Sequence, residues 1–593
     1  MGGEEAKVLK RCLRFGGRVG VRRLIATALG VAPGVALTAL SLFSLASVSG
    51  GWLNLGAVSA AVTQPAKPLP ARPIAIDYPM DGSIFPPGII APAFLWRDAV
   101  GSSWSVEVSF ADRTPPVQLS VPAARMKVGE IDPRCVDSQD HIPKLTPRQA
   151  ATWTWTPDAA TWRTIQQHSV EKPAAITISG HQPETNVLSG SRTAETVVSR
   201  SRISITTSAD AVGAPIFYRD VPLMPSAGAT DVVQPLSPAT MHLIQWRLRD
   251  ITKPESHTVL TGMKTRGNCH SFSADGKTLG MDLDGPENDK GLYAMVPVES
   301  HISIKAKDLV HWNTDGKVGL SRVGFMSQVS PDGRYALTTF AGPQLKINES
   351  YYVTNFLDHR FLQVFYPTQG ILEWYDRTTG LRQPLPGADD PRYVQTDGVW
   401  SRDGKYIVFA RAAARPPRMP NQPVALHAND ENETAIQYEL YRVPFNDGRG
   451  GTPEPIAGAS ANGMSNNFPK VSPDGKWIVF VQCHNGQLMR PDSKLYIVPF
   501  AGGAARPLHA NMQRMNSWHS FSPNGRWLVF SSKSRSPFTQ MYLTHMDAEG
   551  NDSPAILVDN TTAANRAVNI PEFVNIAGDG IEDMQVRLDD DSK

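Results

Sequence analysis

The stretch at residues 468–481, FPKVSPDGKWIVFV, places a Ser-Pro-Asp-Gly-Lys turn between two short apolar segments. This pattern is typical of a β-hairpin, because a tight turn needs the positive φ that glycine adopts without strain and that Asp or Asn often tolerates. The same pattern occurs five times, at residues 269–281, 325–340, 398–410, 468–481 and 518–531. The turn glycines are Gly276, Gly333, Gly404, Gly475 and Gly525. This part of the chain is therefore predicted to repeat one hairpin.

A third apolar segment and a turn follow several of these hairpins. Examples are GLYAMVPV from residue 291, ELYRVPF from residue 439, KLYIVPF from residue 494 and QMYLTH from residue 540. Each unit is thus expected to form a four-stranded antiparallel sheet, which cannot bury both of its faces alone. Packing such sheets around an axis buries those faces and gives a β-propeller.

Two further segments complete the predicted ring. Residues 569–576, NIPEFVNI, resemble the inner strand of the repeat, and residues 242–260, HLIQWRLRDITKPESHTVL, resemble its outer strands. A blade shared between the two ends gives six blades over residues 215–580. The long inserts after Tyr351 and Arg411 are expected to form rim loops, which are more often functional than core segments are.

Residues 74–207 have a different pattern, in which short apolar runs are separated by Pro and Gly. Alternation along one run predicts that Trp104, Val106 and Val108 share one face of a strand. A β-sandwich of immunoglobulin or fibronectin size suits such runs. The predicted fold class is all-β, with this sandwich preceding the propeller.

The first 60 residues are predicted to be a signal peptide or a membrane anchor. Basic residues are frequent up to Arg23, and no charged residue occurs from Leu24 to Ala66. The apolar part is long enough to span a bilayer, while AVSAA at residues 57–61 resembles a cleavage site, so both outcomes stay open. We therefore expect export to the periplasm, either free or anchored in the inner membrane. Residues 61–73 are expected to be a Pro-rich linker and residues 581–593 an acidic tail.

Overall charge and cysteine content exclude some functions. The formal net charge is only +2 over 593 residues, so no basic domain indicates nucleic acid as a partner. Four cysteines are too few for a disulfide framework in an exported protein of this size. Stability is expected to come from packing.

The repeated Ser-Pro-Asp-Gly-Lys hairpins, each followed by a Leu-Tyr-x-Val-Pro type of segment, resemble the TolB-like β-propeller repeat over residues 215–580. A narrower resemblance rests on PIFYRDVPL from residue 215, GNCHSFSADGKTLGMDLDG from residue 267 and NSWHSFSPNGRWLVFSS from residue 516. These segments resemble exported bacterial TolB-like proteins that are often labelled cytochrome c biosynthesis proteins. Members of that group commonly have a complete Cys-x-x-Cys-His motif, where this chain has Arg266 in place of the first cysteine.

Cys269 and His270 are the candidate cofactor residues that this resemblance implies. A covalent haem needs thioether bonds and an axial histidine, and with Arg266 in the motif only one thioether could form there. His519 occupies the same register as His270, so the two imidazoles could share a metal or a cofactor, or could each cap their own strand. Arg266, Asn268 and His519 are candidate ligand-binding residues. No catalytic residue and no metal site are predicted.

The function expected from the sequence is an exported scaffold without catalytic activity. It would bind a protein or peptide of the cell envelope at the channel mouth and the rim loops. One alternative is a haem-handling or c-type cytochrome-related protein that uses Cys269 and His270. Another is an enzyme with its site at the propeller mouth, although no nucleophile elbow, zinc-binding helix or phosphate-cradling loop occurs in the sequence.

Overall fold

The computed structural model describes residues 70–136, 142–185, 192–222, 238–263, 267–284, 291–312, 324–341, 347–357, 363–419 and 421–588. The predicted leader, most of the linker and the last five residues of the tail lie outside these ranges. The described residues are almost all strand or loop, with short α-helices at α1 (Pro147–Ala150), α2 (Ala159–His168) and α3 (Ile347–Ser350). None of the helices in these ranges has the length and hydropathy to cross a bilayer. The protein is all-β.

The described residues of the N-terminal region form nine strands in two sheets. They are β1 (Ala75–Tyr78), β2 (Ser83–Phe85), β3 (Phe94–Arg97), β4 (Ser103–Ser109), β5 (Val117–Val121), β6 (Ala124–Arg125), β7 (Trp153–Trp155), β8 (Ala174–Thr185) and β9 (Arg192–Thr207). One sheet has the order β2-β9-β8-β4-β5 and the other β1-β3-β7-β6. Trp104 of β4 packs against Trp153 of β7 with 4.3 Å between ring centroids, so the two sheets are in contact.

The alternation predicted for β4 is confirmed. Trp104, Val106 and Val108 are buried, whereas the residues between them are half-buried or exposed. A strand that covers a core on one face only requires this period of two.

The described residues after β9 form 28 further strands. The first are β10 (Ile216–Pro222), β11 (Gln245–Arg249), β12 (His257–Leu260), β13 (Gly267–Phe272), β14 (Thr278–Leu283), β15 (Leu292–Pro297), β16 (His301–Lys305), β17 (Leu309–His311), β18 (Gly324–Val329), β19 (Tyr335–Phe340), β20 (Tyr351–Asn355), β21 (Gln363–Pro367), β22 (Ile371–Asp376) and β23 (Arg382–Pro384). The others are β24 (Tyr393–Trp400), β25 (Tyr406–Ala413), β26 (Glu439–Pro444), β27 (Glu454–Pro455), β28 (Ser465–Val471), β29 (Trp477–Cys483), β30 (Lys494–Pro499), β31 (Arg506–Pro507), β32 (Asn516–Phe521), β33 (Trp527–Ser532), β34 (Gln540–His545), β35 (Ile556–Leu557), β36 (Arg566–Phe573) and β37 (Asp583–Arg587).

Most of these strands form six four-stranded antiparallel sheets. We name them sheet I (β13-β14-β15-β17), sheet II (β18-β19-β22-β23), sheet III (β24-β25-β26-β27), sheet IV (β28-β29-β30-β31), sheet V (β32-β33-β34-β35) and sheet VI (β36-β10-β11-β12). The first strand of each sheet is called the inner strand, and each inner strand contacts the inner strand of the next sheet. β36 contacts β13, so sheets VI and I are also neighbours.

The hairpin turns use glycine as the sequence predicts. The five turn glycines have φ between 71° and 73°. The residue before each glycine, which is an aspartate in four turns and Asn524 in the fifth, does not share this conformation. In the first turn, Asp275 accepts hydrogen bonds from the Ser273 hydroxyl at 2.7 Å and from the Lys277 N–H at 3.0 Å. The repeated Ser-x-Asp/Asn-Gly motif therefore encodes a side-chain network that holds the turn.

The inner strands share a bulge seven residues before the turn glycine. Met326, Asp397, Phe468 and Trp518 have φ between 50° and 56°, and Ile570 at the matching place in β36 has φ 51°. Non-glycine residues rarely adopt this conformation, so its recurrence marks a feature of the fold. The β-ladder register shifts at each of these places in β18, β24, β28 and β32.

Sheet VI joins the two ends of the repeated region. β10 pairs with β36 from Ile216 opposite Phe573 to Pro222 opposite Arg566, and on its other side β10 pairs with β11. The sequence analysis assigned no strand to the PIFYRDVPL segment. This segment contains β10, which lies between β36 and β11 and so joins the two segments that were matched to the repeat. The predicted acidic tail also differs from expectation, because its first part forms β37, which pairs in parallel with β16.

The two predicted rim loops differ from each other. The insert after Tyr351 is not an open loop: β20 and β21 form a hairpin whose Tyr351, Tyr352 and Tyr366 are buried. Aromatic side chains have large apolar surfaces, so a hairpin that carries three of them is more stable when it packs against the core than when it is exposed to solvent. The insert after Arg411 is more exposed, with Leu426 78% exposed.

Candidate binding site in the central cavity

Residues from all six inner strands line a cavity of about 160 Å³, which we call the central cavity. One apolar residue from each sheet lines it, four positions before the turn glycine or at the matching place in β36. These residues are Phe272, Val329, Trp400, Val471, Phe521 and Phe573. The turn residues of several sheets, among them Arg402, also line the cavity, so it lies at the hairpin-turn end of the inner strands.

A polar layer lies next to this apolar ring, one position further from the turns. Lys470 donates a hydrogen bond from Nζ to Gln328 Oε1 at 3.2 Å. Glu572 Oε1 accepts a hydrogen bond from the backbone N–H of Phe272 at 3.2 Å. Gln328, Lys470 and Glu572 all line the cavity. The site therefore offers apolar contact at its walls and a cation, an amide and a carboxyl group deeper inside.

Burial controls the charge of Glu572. Its side chain is only 15% exposed, and this loss of solvent raises the pKa of the carboxyl group to about 7, although Lys470 and the Phe272 N–H act in the opposite direction. Burial disfavours a carboxylate more strongly than these partners stabilise it. Glu572 is therefore divided between its neutral and ionised forms near neutral pH.

The bulge residues form a layer beyond the polar one. Phe468 packs edge-on against Trp518 with 5.4 Å between ring centroids, and both belong to a hydrophobic cluster that also contains Met326 and Ile570. Tyr351 from the β20–β21 hairpin belongs to the same cluster. The insert after Tyr351 thus contributes to the core around the bulge residues.

Two buried carboxyl groups lie among these strands. Asp397 Oδ2 accepts hydrogen bonds from the Phe468 N–H at 3.0 Å and from Gln487 Nε2 at 2.9 Å, and burial raises its pKa to about 6. Burial also raises the pKa of Asp282 to about 8, against the hydrogen bonds that Ser327 provides. Perturbed carboxyl groups accumulate at functional sites, but they also occur in structural networks.

Cys269 lies on β13 at the bulge position. Its Sγ is 3.1 Å from Met326 Sδ on the neighbouring sheet, and it forms no disulfide. Burial, with a further contribution from Asp282, raises the pKa of the thiol well above its ordinary value. Cys269 is therefore a neutral thiol in an apolar contact between sheets I and II.

His270 and His519 have matching positions in the repeat but different surroundings. His270 packs edge-on against Phe217 of sheet VI at 4.7 Å. His519 Nε2 donates a hydrogen bond to the carbonyl oxygen of Val479 in sheet IV at 2.8 Å. Both rings are 1% exposed, and burial lowers the pKa of each to about 3, so both are neutral. The structure thus packs each histidine against a different neighbouring sheet.

These residues do not fit a covalent haem. A thioether and an axial ligand must both reach one porphyrin, but His270 is buried against the rings of Phe217 and Phe272, and the Cys269 Sγ is in contact with Met326 Sδ. Asn268 lies near Asp284, with 3.5 Å from Nδ2 to Oδ1, and Arg266 is outside the described residues. Among the described residues, no group of three or more His, Cys, Asp or Glu side chains could hold a metal ion.

The residues that line the central cavity were not among the predicted site residues. A signal for them was present in the sequence, because positions four and five before each turn glycine can be compared across the repeats. Position four is apolar in every copy, whereas position five holds Ser271, Gln328, Val399, Lys470 and Ser520.

The fold and the cavity define the class of the protein: it is a β-propeller. No protein-family model and no curated protein matches the sequence. Among solved structures, the chain is similar to TolB from Acinetobacter baumannii, with 15% identity, a TM-score of 0.36 and coverage of 68% of this chain and 79% of that one. It is also similar to a putative TolB from Agrobacterium tumefaciens, with 13% identity, a TM-score of 0.32 and coverage of 61% and 99%. A third is the β-propeller domain of the trilobed protease from Pyrococcus furiosus, with 12% identity, a TM-score of 0.28 and coverage of 57% and 80%.

Proposed function

We propose that the protein is an exported scaffold of the cell envelope that binds a protein or peptide partner at its central cavity. The proposal includes six blades, of which sheet VI is shared between both ends of the repeated region, and a β-sandwich formed by the N-terminal sheets. The pairing of β10 with β36 supports the shared blade, and the contact between Trp104 and Trp153 supports the sandwich.

The observation that carries the proposal is the size and lining of the central cavity. Small-molecule sites usually have volumes of about 300 to 1,000 Å³, which is more than the 160 Å³ of this cavity. A single side chain or chain terminus of a larger partner suits it better. An apolar anchor surrounded by aromatic walls is also how a few residues supply most of the binding energy in protein interfaces.

A peptide library selected against the purified protein would test this proposal. Peptides that bind should lose affinity at least about tenfold in a Trp400→Ala variant and in a Lys470→Gln variant, since both residues line the cavity. A Lys307→Ala variant provides the control, because Lys307 is an exposed residue between β16 and β17. Binding that is equal in all four proteins would contradict a site in the central cavity.

The state of Glu572 favours an enzyme as the second candidate function. A carboxyl group with a pKa of about 7 that lines a cavity beside Lys470 has the properties of a general acid or base. In this case, turnover of a peptide, ester or glycoside substrate would fall at least about a hundredfold in a Glu572→Gln variant. If the Glu572→Gln variant loses peptide binding but the unmodified protein turns over none of these substrates, only the scaffold function remains.

The haem alternative can be tested directly. Because the surroundings of Cys269 and His270 do not fit a porphyrin, we expect no Soret absorption from the protein produced together with a cytochrome c maturation system. A Soret band that survives denaturation would show covalent attachment and would overturn this expectation.

A further inference from the structure

A second and larger cavity lies between the N-terminal region and sheets V and VI. It has a volume of about 610 Å³ and shares no lining residue with the central cavity. We call it the lateral cleft. One wall includes Lys127 and Lys144 from the N-terminal region, and the other includes Arg514 and Arg535 from sheet V and its loops.

The lining of the lateral cleft is strongly cationic. Its basic residues are Lys127, Lys144, Arg514, Lys533, Arg535 and Arg566, and its one acidic residue among the described lining residues is Asp559. Arg566 is already paired with Asp132 and Asp220. The remaining cations come from both walls, so a ligand between the walls would meet positive charge on two sides.

Three of these cations are available to a ligand. The side chains of Lys127, Lys144 and Arg514 are exposed, and within the described part of the chain they make no hydrogen bond or ion pair. An exposed like-charged cluster without counter-charges raises the local concentration of anions and favours their binding. Their positions therefore indicate an anionic ligand.

The floor of the cleft is held rigid by contacts between its two walls. The Leu557 N–H donates to Tyr78 Oη at 2.9 Å, and the Arg535 guanidinium lies 4.5 Å above the Tyr78 ring. Gln149 Nε2 donates to the carbonyl oxygen of Arg535 at 2.7 Å. Both walls also share one hydrophobic cluster. A preformed cleft lowers the entropy that binding would otherwise cost.

The neutral part of the lining distinguishes between classes of anion. It contains ten hydroxyl or amide side chains, at Thr146, Gln149, Thr154, Gln513, Ser534, Ser536, Gln540, Asn560, Thr561 and Thr562. Its two aromatic residues, Tyr78 and Phe538, are 2% and 4% exposed, so neither offers the open ring face on which a nucleic-acid base stacks. A hydroxyl-rich chain finds hydrogen-bonding partners here, and its acidic groups find the lysines and arginines.

We propose that the lateral cleft binds an acidic oligosaccharide, with its carboxylates near Lys127, Lys144 and Arg514. This site goes beyond the proposed peptide site, because it uses other residues and another type of ligand. Binding weakens as salt is added, since the exposed cations act through screened electrostatic attraction.

Calorimetry with oligomers of mannuronic acid tests the proposal on the full chain. Each of the variants Lys144→Glu and Arg514→Glu is expected to weaken binding about threefold to tenfold, and a variant with both changes at least about tenfold. Lys307→Glu is the matched control, because it changes the total charge equally at an exposed residue outside the cleft. Neutral mannan oligomers of the same length are expected not to bind.

Several outcomes would overturn the proposal. They are no binding of the acidic oligomer, equal binding by the charge-reversed and control variants, equal binding of neutral mannan, and equal or tighter binding of an oligoglutamate of matched charge, which would indicate an acidic peptide instead. A second measurement uses the unmodified protein. Bound acidic oligomer should slow chemical acetylation of Lys127 and Lys144, read by mass spectrometry, while Lys307 reacts at an unchanged rate; equal rates at all three lysines would contradict the site.

Discussion

Arg566 on β36 donates a hydrogen bond from Nε to Asp220 Oδ1 on β10 at 2.7 Å, although the two residues are 346 positions apart. Arg566 also donates from Nη1 to Asp132 Oδ2 of the N-terminal region at 3.1 Å. The side chains of Asp220 and Arg566 are 0% and 3% exposed. One buried guanidinium therefore connects the end of the repeated region, its beginning and the N-terminal region.

Replacing Arg566 is expected to destabilise the protein strongly. An Arg566→Met substitution leaves the Asp220 carboxylate buried without its closest cation and removes one of the two arginines that contact Asp132, which costs about 3 to 5 kcal/mol. Urea unfolding followed by tryptophan fluorescence would measure the loss. Arg134→Met is the matched control, because Arg134 pairs with the same Asp132 but has a side chain that is 59% exposed, so its loss should cost at most about 1 kcal/mol. Similar losses of unfolding free energy in the two variants would show that burial does not determine how much the ion pairs of Arg566 contribute to stability.

Two turn glycines provide a matched test of the contact between sheets I and VI. A Cβ added at Gly276 would lie 2.3 Å from the backbone oxygen of Asn575, whereas a Cβ at Gly404 would meet nothing within 4 Å. Both glycines have φ near 71°, so alanine costs about 1 kcal/mol at either position. Gly276→Ala is expected to cost about 1 to 3 kcal/mol more, because the backbone of the sheet VI segment must move. Equal urea midpoints for the two variants would mean that the two sheets separate easily at this place.

The stability of the protein should depend on pH through Glu572. Burial raises the pKa of Glu572 from 4.5 to about 7, so the folded state binds the proton more tightly than the unfolded state does. This contribution is fully present below pH 4.5 and is lost as the pH rises to about 7. Glu572→Gln cannot ionise, so its stability relative to the unmodified protein should increase by about 1 to 3 kcal/mol between pH 4 and pH 8.

Melting temperatures of the two proteins across that pH range would provide the measurement. The other buried carboxyl groups, such as Asp282 and Asp397, are the same in both proteins, so their effects cancel in the difference. A difference that stays constant from pH 4 to pH 8 would show that Glu572 titrates as an ordinary surface glutamate.

Arg490 is expected to hold the insert after Arg411 in place. Its guanidinium forms an ion pair with Glu433, donates to Asn429 Oδ1 at 3.1 Å and donates to Tyr366 Oη at 3.2 Å. The side chains of Arg490 and Glu433 are 1% and 6% exposed, so Arg490→Met would leave a buried carboxylate unpaired. The insert should then open more often, because local opening depends on such contacts.

Limited trypsin digestion would detect this opening as cleavage after Arg418, and we expect it to be at least about tenfold faster in Arg490→Met. Arg449→Met is the control, because Arg449 forms an ion pair with Asp447 in which both side chains are about 80% exposed. If the digestion rate is unchanged in Arg490→Met, the insert is held by other contacts.

The candidate sites show where sequence reasoning reached its limit. Matching the repeats placed His270 and His519 at equivalent positions, and the structure keeps that equivalence. The comparison of the repeats could not show that the His270 ring packs on Phe217 or that the His519 ring forms a hydrogen bond to Val479, because these partners come from other sheets. The lining of the central cavity was within reach of a comparison of register positions, whereas the lateral cleft was not, since Lys144 and Arg514 are 370 positions apart by their residue numbers.

By itself, the sequence determined the hairpins, their turn glycines and the face of β4 that is buried, because local φ preferences and the alternation of side chains depend on neighbouring residues only. Only the tertiary structure decided that β10 lies between β36 and β11, that the β20–β21 insert is buried, and that Glu572 and Lys470 meet in one cavity. Those features depend on contacts between distant segments, and no local preference specifies which of several apolar surfaces will meet.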